Sequence, residues 1–140
     1  SVCTNACVDI RKLEPGAQVG ITVFHTNQHH YDIVIEQQGD SRVAFLRKRV
    51  VDICAEGEKV ILPKSGTLWL RIDSDRLQYR FFVGTGAEAL TLLGSGTSQL
   101  LSTECTVCTF TGCFQGMFAQ GSATAAFRLF TQTPSPEPEE

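Results

Sequence analysis

Two stretches, Thr67–Asp73 (TLWLRID) and Leu77–Val83 (LQYRFFV), decide the fold class. In the first, Leu68, Leu70 and Ile72 alternate with Trp69, Arg71 and Asp73. In the second, Leu77, Tyr79, Phe81 and Val83 alternate with Gln78, Arg80 and Phe82. A period of two among aromatic, β-branched and leucine residues marks a half-buried β-strand. The Asp73-Ser74-Asp75 segment between them has the composition of a turn.

The same period recurs on either side. It runs through Val19–His25, Tyr31–Glu36, Arg42–Val51, Cys113–Ala119 and Ala125–Thr131. In Arg42–Val51, Val43 and Phe45 share one face with Arg47 and Arg49, and Ala44, Leu46, Lys48 and Val50 share the other. Glu14-Pro15-Gly16, Gln38-Gly39-Asp40, Pro63-Lys64-Ser65-Gly66 and Gly94-Ser95-Gly96 supply further turn signals. No helical period is sustained. Short strands with frequent turns predict an all-β, antiparallel β-sandwich. The length of 140 residues suits one domain. The expected limits are residues 1–133 for the sandwich and 134–140 for a disordered Pro/Glu-rich tail.

Composition narrows the function. The net charge of −3 gives no general attraction to nucleic acid or to an anionic membrane. No apolar run reaches the roughly 20 residues of a membrane helix. The start at Ser1, with Met117 the lone methionine, reads as a processed or excised chain. Six cysteines, Cys3, Cys7, Cys54, Cys105, Cys108 and Cys113, suit an oxidising, extracellular compartment and up to three disulfides. A secreted protein is the expectation. Cys105-x-x-Cys108 is also the spacing of a redox motif or half a zinc site, but it lacks the βαβ setting or the second ligand pair these need.

Other candidate sites are weaker. His25, His29 and His30 fall within six residues, but strand neighbours point to opposite faces, so ligand-facing or surface histidines are favoured over a metal site. Asp32, Glu36, Asp73, Asp75, Glu88 and Glu104 show no spacing that selects an acid–base pair of the glycosidase kind. No Gly-x-Ser-x-Gly elbow or phosphate-binding loop is present. Arg47-Lys48-Arg49 splits across two faces and reads as a solvated or edge-protecting run. No catalytic residue, metal or cofactor is expected. Trp69, Arg71, Arg80 and Phe82 look away from the predicted core. Aromatic rings beside fixed polar donors suit a sugar, with its C–H faces and hydroxyls.

Several strands, in order, carry a resemblance: Val19–His25, His30–Ile35, Leu68–Asp73, Leu77–Phe82, Leu92–Gly94, Leu101–Glu104 and Phe110–Ala119. Together they resemble the C-terminal domain of family-43 β-xylosidases, over roughly Val8 to Phe130. The resemblance implies a concanavalin A-like, jelly-roll sandwich attached to a catalytic propeller domain. It implies no catalysis by this chain itself, contact with xylan-like polysaccharide, and a loop phenylalanine that completes the partner's substrate pocket. Phe110, in Cys108-Thr109-Phe110-Thr111-Gly112, matches that position, although Val107, Cys108 and Thr109 replace the usual glycines around it. Gly84–Leu93 lacks the hairpin motif usual in the family. Carbohydrate contact is therefore expected from Phe110, Trp69, Tyr79, Arg80 and Phe82. The alternative is a free-standing secreted lectin, binding glycans alone or as a homo-oligomer.

Overall fold

The computed structural model describes residues 1–64, 66–98 and 114–134. Among these residues it contains eleven strands: β1 (Val2–Leu13), β2 (Gln18–Thr26), β3 (His29–Gln38), β4 (Ser41–Val50), β5 (Ile53–Glu56), β6 (Val60–Leu62), β7 (Thr67–Ser74), β8 (Gln78–Gly84), β9 (Leu90–Thr97), β10 (Phe114–Gln120) and β11 (Ala123–Pro134). They form two antiparallel sheets. One has five strands in the order β11-β1-β7-β8-β9. The other has six, in the order β10-β2-β3-β4-β5, with β6 also paired to β4.

The two sheets pack through the alternating residues the sequence marks. Ala6 and Val8 of β1, Leu68, Leu70 and Ile72 of β7, and Phe81 and Val83 of β8 face inward from the five-stranded sheet. Val19, Ile21 and Val23 of β2, Tyr31, Ile33 and Ile35 of β3, and Ala44 and Leu46 of β4 meet them from the other. Tyr31 is fully buried, and its hydroxyl donates to the Thr97 carbonyl at 2.8 Å, so the one polar atom of the ring is satisfied. Phe81 and Tyr79 pack edge-on against it, with centroids 6.0 and 6.1 Å away.

β1 was not anticipated. It lies between β11 and β7, so it joins the first residues of the chain to the last described ones. Its alternation is readable in retrospect: Thr4, Ala6 and Val8 point inward, and Cys3, Asn5, Cys7 and Asp9 point outward.

Gly94-Ser95-Gly96, expected as a turn, lies inside β9, with a register irregularity opposite Phe81/Phe82. Tight packing between the sheets explains the glycines. A Cβ on Gly96 would sit 2.6 Å from the Tyr31 ring, and one on Gly94 would sit 3.0 Å from Leu46 Cδ2.

The expected disulfide staple is not found among the described residues. Cys3 and Cys7 on β1 and Cys54 on β5 are free thiols. Cys3 and Cys7 lie four residues apart on one strand, a span of about 13 Å, whereas a disulfide needs its Cα atoms within about 7 Å. Cys105, Cys108 and Cys113 lie outside the described residues.

Candidate functional site

The outward face of the five-stranded sheet gathers most of the residues picked out as sugar contacts. Strand registers set rows across it. Cys7, Trp69 and Gly84 lie abreast, then Asn5, Arg71, Phe82 and Leu92, then Cys3, Asp73, Arg80 and Ser95. Trp69, Arg71, Arg80 and Phe82 are half-buried, which leaves each side chain one free surface. Arg71 Nε donates to Asp73 Oδ1 at 2.7 Å, and its guanidinium lies 6.0 Å from the Phe82 ring centroid. The hydrogen bond it donates to Asp73 holds Arg71 still more firmly protonated than an ordinary arginine.

The same face continues past Trp69 to a second ion pair. Arg128 Nε meets Asp9 Oδ2 at 2.5 Å, and Thr67 Oγ1 donates to Asp9 Oδ1 at 2.7 Å. The Thr67 hydroxyl, followed by Arg128, holds the Asp9 carboxyl below its usual range. These residues line an open cleft of about 320 Å³ with Ile10, Arg11 and Gly66. A tryptophan thus sits between two arginine–aspartate pairs on one sheet face. The arrangement offers an apolar platform with oriented donors and acceptors at both ends. Cys3 and Cys7 lie beneath it. Burial is the larger cause raising both thiols, with the Asp73 hydrogen bond second for Cys3 and the Asp9 charge second for Cys7. Both therefore remain protonated and inert as nucleophiles.

Tyr79 is not part of this face. It alternates with Arg80 and packs on the core side against Tyr31 and Phe81, because the period of two that turns Arg80 and Phe82 outward turns Tyr79 inward. Phe110 lies outside the described residues.

The outward face of the six-stranded sheet holds a polar network that the sequence did not reveal. Asp32 is 2% exposed. Its carboxylate accepts from Thr22 Oγ1 at 2.6 Å, His30 Nδ1 at 2.9 Å and Arg47 Nε at 2.8 Å. Burial alone would raise its pKa. The hydrogen bonds from His30, Thr22 and Arg47 outweigh burial and hold it ionised and below the ordinary range. A general acid would need the opposite shift, so Asp32 is not one.

Arg47 also donates to Gln18 Oε1 at 2.6 Å, so it is a structural partner and not the solvated charge expected of its basic run. Beside the network, Val34, Val43 and Phe45 form a second buried cluster with Phe118 against it. His25 and His29, expected to face a ligand or the surface, are buried, at 4% and 6% exposed. No group of three or more His, Cys, Asp or Glu side chains is placed to hold a metal ion among the described residues.

Two antiparallel sheets with this core and strand order define a concanavalin A-like sandwich domain. The chain belongs to the family described as the beta xylosidase C-terminal concanavalin A-like domain, which it matches over residues 1–132. This is the accessory C-terminal domain of family-43 glycoside hydrolases. The chain is 32% identical over 108 residues to the non-reducing end alpha-L-arabinofuranosidase BoGH43B of Bacteroides ovatus, which covers 77% of this chain and 20% of that protein. The solved structure of Bacteroides ovatus xyloglucan PUL GH43B superposes with a TM-score of 0.84 at 28% identity, covering 94% of this chain and 27% of that one. The xylan beta-1,4-xylosidase from Bacillus halodurans C-125 shares the fold, with a TM-score of 0.85 at 15% identity over 95% of this chain and 27% of that one. The chain therefore spans about a fifth to a quarter of the length of these relatives.

Proposed function

We propose that this chain is the non-catalytic, carbohydrate-engaging domain of a family-43 glycoside hydrolase acting on a xylan-like or arabinose-bearing plant polysaccharide. One observation carries the reading: Trp69 lies on an open sheet face between the Arg71–Asp73 and Asp9–Arg128 pairs, with Phe82 alongside. A pyranose or furanose ring can stack on the indole while its hydroxyls bond to the flanking groups. The paired charges cancel, which suits a neutral polymer better than an anionic one.

The partner is a catalytic propeller domain, as in the homologues. Among the described residues no carboxylate is poised as an acid opposite a second one, so bond cleavage is assigned to that partner. Phe110 is the residue proposed to enter the partner's pocket, as the family resemblance implies. The setting is extracellular, as the cysteine content suggests, although disulfides among Cys3, Cys7 and Cys54 form no part of the proposal.

Affinity electrophoresis in gels containing arabinoxylan or xyloglucan tests the reading. The chain should be retarded, and Trp69→Ala should weaken the retardation while Phe110→Ala leaves it. Equal mobility of the wild type in gels with and without polysaccharide would refute it.

A further inference from the structure

The six-stranded sheet carries a second row of rings on its outward face. The registers of β10, β2, β3 and β4 bring Phe114, Phe24, His30 and Arg49 abreast. The next outward row is Gly116, Thr22, Asp32 and Arg47, and the one beyond is Phe118, Gly20, Val34 and Phe45. The Phe24 and His30 rings stack at 5.7 Å with 23° between their planes, which pairs two rings across neighbouring strands. Phe114, at the end of that row, is 64% exposed.

Between Phe114 and Phe118 the strand has only Gly116 on this face, and a Cβ there would meet nothing within 4 Å. Residues four apart on a strand are separated by about 13 Å, so the two phenylalanines flank an open step. The guanidinium of Arg47 lies 5.8 Å from the Phe118 ring centroid and closes the far side.

The polar groups at this step are fixed in advance. The buried Asp32 carboxylate holds Arg47 and His30, and its charge is cancelled by Arg47. With Asp32 ionised, His30 donates through Nδ1, and among the described residues Nε2 has no hydrogen-bond partner beside the stacked rings. An apolar protein segment seated here would cover that nitrogen without satisfying it, at the cost of a lost hydrogen bond. A sugar hydroxyl would satisfy it.

We propose that Phe114, Phe24 and His30 form a second glycan-binding strip. One sugar ring packs its C–H face against the exposed Phe114 ring beside the Phe24–His30 stack, and one of its hydroxyls donates to His30 Nε2. This strip rests on the carbohydrate reading given above but lies on the opposite sheet. The two outward faces point away from each other, so one domain would contact two polymer strands.

Calorimetric titration with xylohexaose and with an arabinosylated xylo-oligosaccharide tests it, run beside the fluorescence of Trp69, the lone tryptophan. In the Trp69→Ala chain binding should persist, and adding Phe114→Ala should weaken it about tenfold, the scale of one lost aromatic contact. His30→Ala should weaken it as well. Thermal melting of the Phe114→Ala chain should be near that of the wild type, given the exposure of that ring. Residual binding indifferent to both substitutions would overturn the strip. So would a complete loss of binding in Trp69→Ala, with the first face then standing alone. Heat of binding that depends on Phe114, with no change in Trp69 fluorescence, would support the strip and refute the first face. Absence of binding by the wild type would overturn both.

Discussion

The two outward faces of this sandwich treat charge in opposite ways. On the five-stranded sheet, Arg71 and Asp73 pair with side chains 36% and 24% exposed, and water competes for every contact. On the six-stranded sheet, Arg47 and Asp32 pair with 16% and 3%, and Asp32 gathers three separate donors. The first pair is available to a ligand. The second is committed to the fold, and it holds ready the groups around it. Whether a polar cluster binds or builds is decided here by how far its acceptors are already filled.

Substitutions at the two aspartates should separate the faces most sharply. Asp32→Ala leaves Arg47 and His30 without their shared acceptor in a dry site and should cost about 3–5 kcal/mol of stability in urea unfolding. Gly96→Ala tests the seam between the sheets. The Tyr31 ring it would strike is pinned by its hydroxyl and by Phe81, so a loss of about 1–3 kcal/mol is expected in the same assay. Asp73→Ala, by contrast, should change stability by less than about 1 kcal/mol, since the pair is open to solvent. It should instead weaken polysaccharide retardation. Equal destabilisation by Asp73→Ala and Asp32→Ala would erase the distinction between the faces.

Acid sharpens the comparison further. The folded pKa of Asp32 is lowered, so its contribution is present above the unfolded value of about 3.9 and fades as pH falls through the lower folded value. Melting temperature should fall below about pH 4 in the wild type, and Asp32→Asn should flatten part of that dependence.

The strands of highest alternation were legible from the residues alone. β2, β3, β4, β7 and β8 all fall where the period of two placed them, because each buries one face against the opposing sheet. β1 escaped notice because its cysteines invited a covalent explanation, although Ala6 and Val8 carry the same pattern. β9 is legible only in part, at Leu92–Gly94, because glycine signals a turn in sequence, whereas here Gly94 and Gly96 answer to side chains on the other sheet.

Of the candidate site, Trp69, Arg71, Arg80 and Phe82 were legible as one outward set. Tyr79 follows the inward period of Phe81 and Val83, and that alternation excludes it. The Asp32 network was not legible, since it joins residues from β2, β3 and β4 whose abreast positions depend on register, and register is not written in any single strand.

The central claim is that the open face around Trp69 receives carbohydrate. Because Trp69 is the lone tryptophan, titrating its fluorescence with soluble arabinoxylan reads that face directly. A saturable change in emission, reversed by dilution and insensitive to Phe114→Ala, is the predicted result. Emission unmoved at saturating polysaccharide, while the chain remains folded, would contradict the account.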